Sequence, residues 1–180
     1  GKPQATNLSD EINEAVMRNV ITNLRRLIRN PDDDFARGEL MWASAMAENG
    51  MLKLGKQTDF QCHMIEHAVG AYTDCNHGQG LAVIHPALYR RLLEAGKEKL
   101  ARMAETVWGV KGATIEETAM RGIEALEAFI REIGLPTHWS EMGITDESML
   151  RAVADTCFIT PGCCRQLTRD EIFELLMERM

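Results

Sequence analysis

Long apolar runs are absent from this 180-residue chain; none approaches the roughly eighteen residues that a membrane-spanning helix requires. The N-terminus is polar and shows no signal peptide. Positive charge is in deficit as well. Lys and Arg number 20 against 27 Asp and Glu, for a net charge of −7 and a pI near 5.3, which argues against a nucleic-acid surface. The pairs Arg25-Arg26 and Arg90-Arg91 are too short to reverse this and read as solvated helix faces. Cysteine lacks a pattern: Cys62, Cys75, Cys157, Cys163 and Cys164 are an odd number without CxxC spacing. That disfavours a disulfide framework and points to reduced thiols in a cytoplasmic protein. Cys163-Cys164 reads as two small residues in a Pro-Gly loop rather than a redox pair. Aromatics are scarce at 6%. Convincing strands, internal repeats and low-complexity linkers are missing, and no glycine-rich phosphate loop follows a strand.

What the chain has is helical periodicity and methionine. Its 45% apolar and 26% charged residues suit one globular domain with a genuine core. Eleven methionines predict a Met-rich helical core, because Met fills irregular gaps between helices. Ser9 is placed to cap a first helix carrying Ile12, Val16, Val20, Leu24 and Leu27 at a period near 3.6. Asn30-Pro31 ends it and opens a second, with Pro31 at its first position. That second helix carries Phe35, Leu40, Met41, Trp42 and Met46 and breaks at Asn49-Gly50. A third begins near Asp59, a turn follows over residues 74–78, and Pro86 starts or kinks a fourth. The next stops at Gly109. Thr114-x-x-Glu117 and Thr168-x-x-Glu171 are capping-box patterns, Gly134-Leu135-Pro136 is a stop, and a short helix follows Thr145-Asp146. The expected fold is all-α, a bundle of roughly seven to nine helices.

Three of the five histidines fall between positions 63 and 77. His63 and His67, four apart, share one helix face, and a turn after Tyr72 can return His77 toward it. Imidazole is the commonest side-chain metal ligand and also moves protons near neutral pH. These are parts of a metal site.

Asp59-Phe60-Gln61-Cys62-His63-Met64-Ile65-Glu66-His67, continued by His77-Gly78-Gln79-Gly80-Leu81-Ala82, resembles the iron-containing (group III) alcohol dehydrogenases, closest to their butanol dehydrogenase and aldehyde reductase branch. That family carries His-x3-His-x9-His-Gly in its C-terminal helical domain. Leu40-Met41-Trp42-Ala43 with Asn49-Gly50, Pro86-Ala87-Leu88, Val107-Trp108-Gly109-Val110, Leu135-Pro136-Thr137-His138 and Leu167-Thr168-Arg169-Asp170-Glu171-Ile172 resemble its other landmarks, so the likeness runs along essentially the whole chain.

The resemblance implies that residues 1–180 are a C-terminal helical metal-binding domain, of the dehydroquinate synthase-like type, with the nucleotide-binding α/β domain outside the chain. It implies His63 and His77 as metal ligands, with an Asp and a His four apart on an earlier helix completing the set just before Gly1. Two ligands alone would bind weakly, and the fragment by itself is expected to be inactive. Asp59, four before His63, is a lesser candidate for the carboxylate and reads better as a cap. Asn76 stands where many relatives have proline. In the full-length protein the resemblance implies a divalent ion, iron(II) or zinc, as Lewis acid on the oxygen of a small-molecule alcohol or aldehyde. NAD(H) or NADP(H) would carry the hydride, and the protein would be a homodimer. His67 is no ligand in that pattern but faces the cleft one turn from His63, where it either relays a proton or touches the nicotinamide as a catalytic residue, or is a hydrogen-bonded histidine beside the site. Glu66 either orients a histidine or lies on a solvated face. His85 and His138 read as structural. Two rivals remain: His63-x-x-Glu66-His67 also spells the inverted zinc-peptidase motif, with Glu141 or Glu147 as distant ligand, and a non-enzymatic helical binding domain needs no cofactor at all.

Overall fold

The computed structural model describes residues 7–162 and 164–180. Among them are eight α-helices and no strand. Helix α1 (Leu8–Arg29) opens one cap earlier than the Ser9 expected. Asn7 accepts from the Asp10 amide at 3.0 Å while Asp10 accepts from the Asn7 amide at 3.2 Å, a complete capping box. Ser9 instead donates to the Leu54 carbonyl at 2.9 Å. Helix α2 (Asp34–Glu48) is capped by Asp33, not opened by Pro31. Pro31 lies in the preceding turn, where its carbonyl accepts from the Arg37 guanidinium at 2.6 Å. Gly50, with φ of 85°, carries the chain out of α2 in the left-handed region open to glycine.

Helix α3 (Gln61–Thr73) begins two residues past Asp59, whose carboxylate accepts from the Gln61 amide at 2.9 Å. The Gln61 side chain ties this first turn to the C-terminal segment. It donates to the Arg165 carbonyl and accepts from the Leu167 amide, both at 2.8 Å. Asp74, at φ 56°, ends α3. After only Cys75 and the cap Asn76, helix α4 (His77–Arg91) starts, so His77 is helical rather than part of the expected turn. Pro86 neither opens nor ends α4; it sits within it. The proline forgoes one donor inside a helix already launched by Asn76, and its neighbours Ile84, Ala87 and Leu88 are buried.

Helix α5 (Leu93–Met103) passes through a π turn (Ala104–Trp108) to its stop at Gly109, φ 68°. Helix α6 (Ile115–Glu132) has half of the expected capping box. Thr114 accepts from the Glu117 amide, but the Glu117 carboxylate takes the amide of Ala113 at 2.7 Å. Helix α7 (Glu147–Thr156) is capped by Asp146, and α8 (Arg169–Glu178) by the full Thr168–Glu171 box.

The main core gathers Ile65 and Val69 of α3, Val83, Ile84 and Leu88 of α4, Leu150 and Val153 of α7, and Ile172, Leu175 and Leu176 of α8 around Trp139, whose indole donates to the Leu176 carbonyl at 3.0 Å. No methionine is among the buried residues; Met142, Met149 and Met177 pack at its edge, and Met41 is 75% exposed. The Met-rich core is therefore corrected: branched aliphatics with few rotamers fill the centre, and the pliable thioethers rim it. Cys62, Cys75, Cys157 and Cys164 are free thiols, while Cys163 lies outside the described residues. No described helix is long and apolar enough to cross a membrane.

Candidate metal centre

The antiparallel return from α3 to α4 brings the three histidines together. Ring centroids of His63 and His77 lie 5.4 Å apart, those of His67 and His77 5.2 Å, and those of His63 and His67 6.3 Å. His67 and His77 are exposed, and His63 is partly buried beneath them with Phe60 against its ring at 5.2 Å. The His63 Nδ1 atom is buried and has no hydrogen-bond partner. A buried imidazole nitrogen left without a partner is costly unless a ligand completes it. Burial lowers the His63 pKa from the ordinary histidine value, and the neighbouring His77 and His67 lower it further. The neutral ring is the form that ligates metals.

A second grouping overlaps the first: one donor atom each from Glu66, His67 and His77 lie within 4.8 Å of one another. Glu66, however, is 1% exposed and already bonded through Oε2 to Nδ1 of His77. Its other oxygen lies 3.8 Å from the Cys75 sulfur. It is not on a solvated face, and it is taken up by His77 rather than free for an ion. With Glu66 taken up, the rings that converge here are those of His63, His67 and His77, and imidazole nitrogens suit a divalent cation of the iron or zinc kind.

Asp59 is spent on Gln61 and stands outside these groupings. The peptidase geometry is not present. Glu66 pairs with His77 instead of standing ready for water, and Glu141 binds the amides of Thr137 and His138 at 2.9 Å. Glu147 is an exposed residue at the start of α7. His138 is part of that same local turn, its Nδ1 3.0 Å from the Thr137 hydroxyl.

His85 is closer to the site than sequence reasoning had it. Its ring lies 6.4 Å from that of His63, and burial, with His63 beside it, drives its pKa down to about 4. The signal was available: His77 and His85 are eight apart, two turns along one face of α4. Next to His85 is a cavity of about 420 Å³ walled by Phe60, Leu88, Tyr89, Leu92 and Leu100. At its rim Asp10 binds Lys56 at 2.9 Å and Lys99 at 2.6 Å.

Residues 2–180 match the Fe-containing alcohol dehydrogenase family, C-terminal. The chain belongs to the iron-containing alcohol dehydrogenases. Among their members it is 32% identical over 173 residues to NADH-dependent butanol dehydrogenase A of Clostridium acetobutylicum, a stretch covering 93% of this chain and 44% of that protein. It is 29% identical over 148 residues to the NADPH-dependent aldehyde reductase of Escherichia coli, over 82% of this chain and 38% of the reductase. The crystal structure of NADH-dependent butanol dehydrogenase A from Thermotoga maritima superposes with a TM-score of 0.90 at 28% identity, over 99% of this chain and 47% of that one. The chain thus spans less than half the length of these relatives. The all-α expectation holds, and the fold is that of the family's C-terminal part.

Proposed function

We propose that residues 1–180 form the C-terminal metal-holding domain of an NAD(P)H-dependent alcohol dehydrogenase or aldehyde reductase acting on a small alcohol or aldehyde. The observation that carries the proposal is the convergence of His63, His67 and His77 with a buried His63 nitrogen left unpartnered. His63 and His77 would hold the divalent ion, iron(II) or zinc, while His67, exposed one helical turn from His63, would move a proton between substrate oxygen and solvent. When bound, the ion supplies Lewis-acid polarisation of the substrate oxygen. Hydride transfer belongs to the nicotinamide, held by a nucleotide-binding α/β domain outside these residues. The cavity beside His85, apolar in its walls and charged at its rim, has the character of a pocket for a short-chain substrate.

The same reading includes a homodimer in the cytoplasm. Free thiols suit a reducing compartment, and the outward-facing Phe35, Met41 and Trp42 of α2 give an assembled protein apolar surface to cover. The test is reduction of a short-chain aldehyde by NADH or NADPH in the full-length protein, with chelator treatment and His63→Ala and His77→Ala as arms. Loss of turnover in all three supports the reading; turnover that survives both substitutions overturns it. The 180 residues alone are expected to show little or no thermal stabilisation by zinc or iron(II), and the full-length protein a clear one.

A further inference from the structure

We propose that Glu66 is a positioning residue whose carboxylate holds the Nδ1–H of His77 and thereby fixes that ring in the tautomer that leaves Nε2 unprotonated and free to ligate. The inference rests on the metal-site reading but concerns a property of the ring that exists without metal.

Glu66 is 1% exposed in a helix packed on the apolar core. An unpaired carboxylate there is strongly disfavoured. Its partners are Nδ1 of His77, bonded to Oε2, and the Cys75 thiol at 3.8 Å from Oε1. The His77 ring is itself half exposed at the start of α4. It otherwise meets the imidazoles of His63 and His67, and the bond from the carboxylate is what tells one of its nitrogens from the other.

The fold makes room for that carboxylate at one position in particular. Gly80 lies three residues after His77, on the same face of α4. A Cβ at position 80 would stand 2.7 Å from Cγ of Glu66 and 2.8 Å from Oε1, closer than real carbon contacts allow. Gly70, one turn on from Glu66 in α3, leaves its Oε1 at 3.6 Å from where a Cβ would be. Glycine inside a helix costs about 0.5–1 kcal/mol relative to alanine, so Gly80 weakens α4 in exchange for letting Glu66 slide beneath the imidazole. An imidazole whose Nδ1–H is held by a carboxylate presents the other nitrogen, the arrangement by which outer groups set the tautomer and basicity of a ligating histidine.

The decisive measurement is a long-range ¹H–¹⁵N correlation on the metal-free chain labelled at histidine, at about pH 8, where free imidazole is neutral. His77 is expected to carry its proton on Nδ1. Glu66→Gln, whose amide oxygen still accepts, keeps that form. Glu66→Leu removes the acceptor, and Gly80→Ala pushes an unaltered carboxylate away; both return His77 to a mixture of tautomers while amide spectra show a folded chain. If Glu66→Leu does not fold, Gly80→Ala decides alone. A His77 protonated on Nε2 in the unsubstituted chain overturns the proposal, as does a tautomer unmoved in folded Gly80→Ala. Titration of the full-length protein with Zn²⁺ adds a second readout, the dissociation constant rising about 10- to 100-fold in Gly80→Ala. A correct tautomer together with a full-length protein that ignores Zn²⁺ would leave the Glu66–His77 pairing standing and remove the metal reading instead.

Discussion

Two glutamates lie almost out of reach of water in this domain, and they are kept there by different means. Glu127 of α6 is surrounded by guanidinium groups: Arg179 donates to Oε1 at 2.7 Å, Arg131 at 3.0 Å, and Arg90 binds Oε2. Burial pushes its carboxyl up, but Arg90 and Arg179 outweigh that and hold it at about 2. Glu66 of α3 has one imidazole and one thiol. The arginines are permanently charged and their planar forks use up the lone pairs of Glu127, which leaves nothing there for chemistry. The partner of Glu66 is a ring that gains and loses protons and has a second nitrogen to offer. A saturated ion cluster fixes helix packing. A single histidine bond fixes one ring and keeps its far side available.

The largest effect that would sharpen this contrast is expected from Glu127→Ala. It strands the nearly buried Arg179 without its carboxylate, and urea unfolding is expected to show a loss of about 3–5 kcal/mol with the histidine resonances unmoved. A smaller loss comes from acid. Asp10, raised by burial but pulled lower still by Lys99 and Lys56, also holds out to about 2. Carboxyls of the unfolded chain take up protons near pH 4. Between about pH 4 and 2 the unfolded state therefore binds more protons than the folded one, and stability falls as pH falls through that window. Melts at pH 5, 3 and 2 check this; a flat profile breaks the account of both carboxylates. His77→Ala, which leaves the Glu66 carboxylate with only a thiol beside it, is expected to cost about 1–3 kcal/mol. The smallest stability change, within about 0.5 kcal/mol, belongs to the exposed His67→Ala. In the full-length protein that same substitution is expected to lower turnover at least about 100-fold. Unaltered turnover would make His67 a bystander.

Features governed by a few adjacent residues were legible in the sequence. The Thr168–Glu171 box, the Asp146 cap and the stops at Gly109 and Gly134 all stand where local chemistry put them. Errors arose where two local rules competed. Asn7 outbid Ser9 because Asp10 sits at the one spacing that returns its bond. Pro86 does not start its helix as one alternative had it, since Asn76 launches α4 at His77, nine residues earlier, and Ile84, Ala87 and Leu88 pack around the proline within it. The histidine convergence was legible from spacing and resemblance together. The burial of Glu66 was missed: position 66 falls on the stripe of Cys62, Ile65 and Val69, but a carboxylate there reads as solvated until the facing helix, with glycine at 80, is seen to make room for it. Likewise the methionines, apolar by composition, were displaced from the centre by side chains with less rotamer freedom to lose.

The Gln61 side chain fastens the opening turn of the histidine helix to a backbone amide 106 positions later. During synthesis the helix bearing His63 and His67 leaves the ribosome long before that anchor has been translated, and contacts between such distant segments close late. Nascent chains halted short of Leu167 would hold the three converging imidazoles but lack the clasp at the base of their helix, so competence for a ligand arrives with a segment about ninety residues past His77 rather than with the residues that bind it.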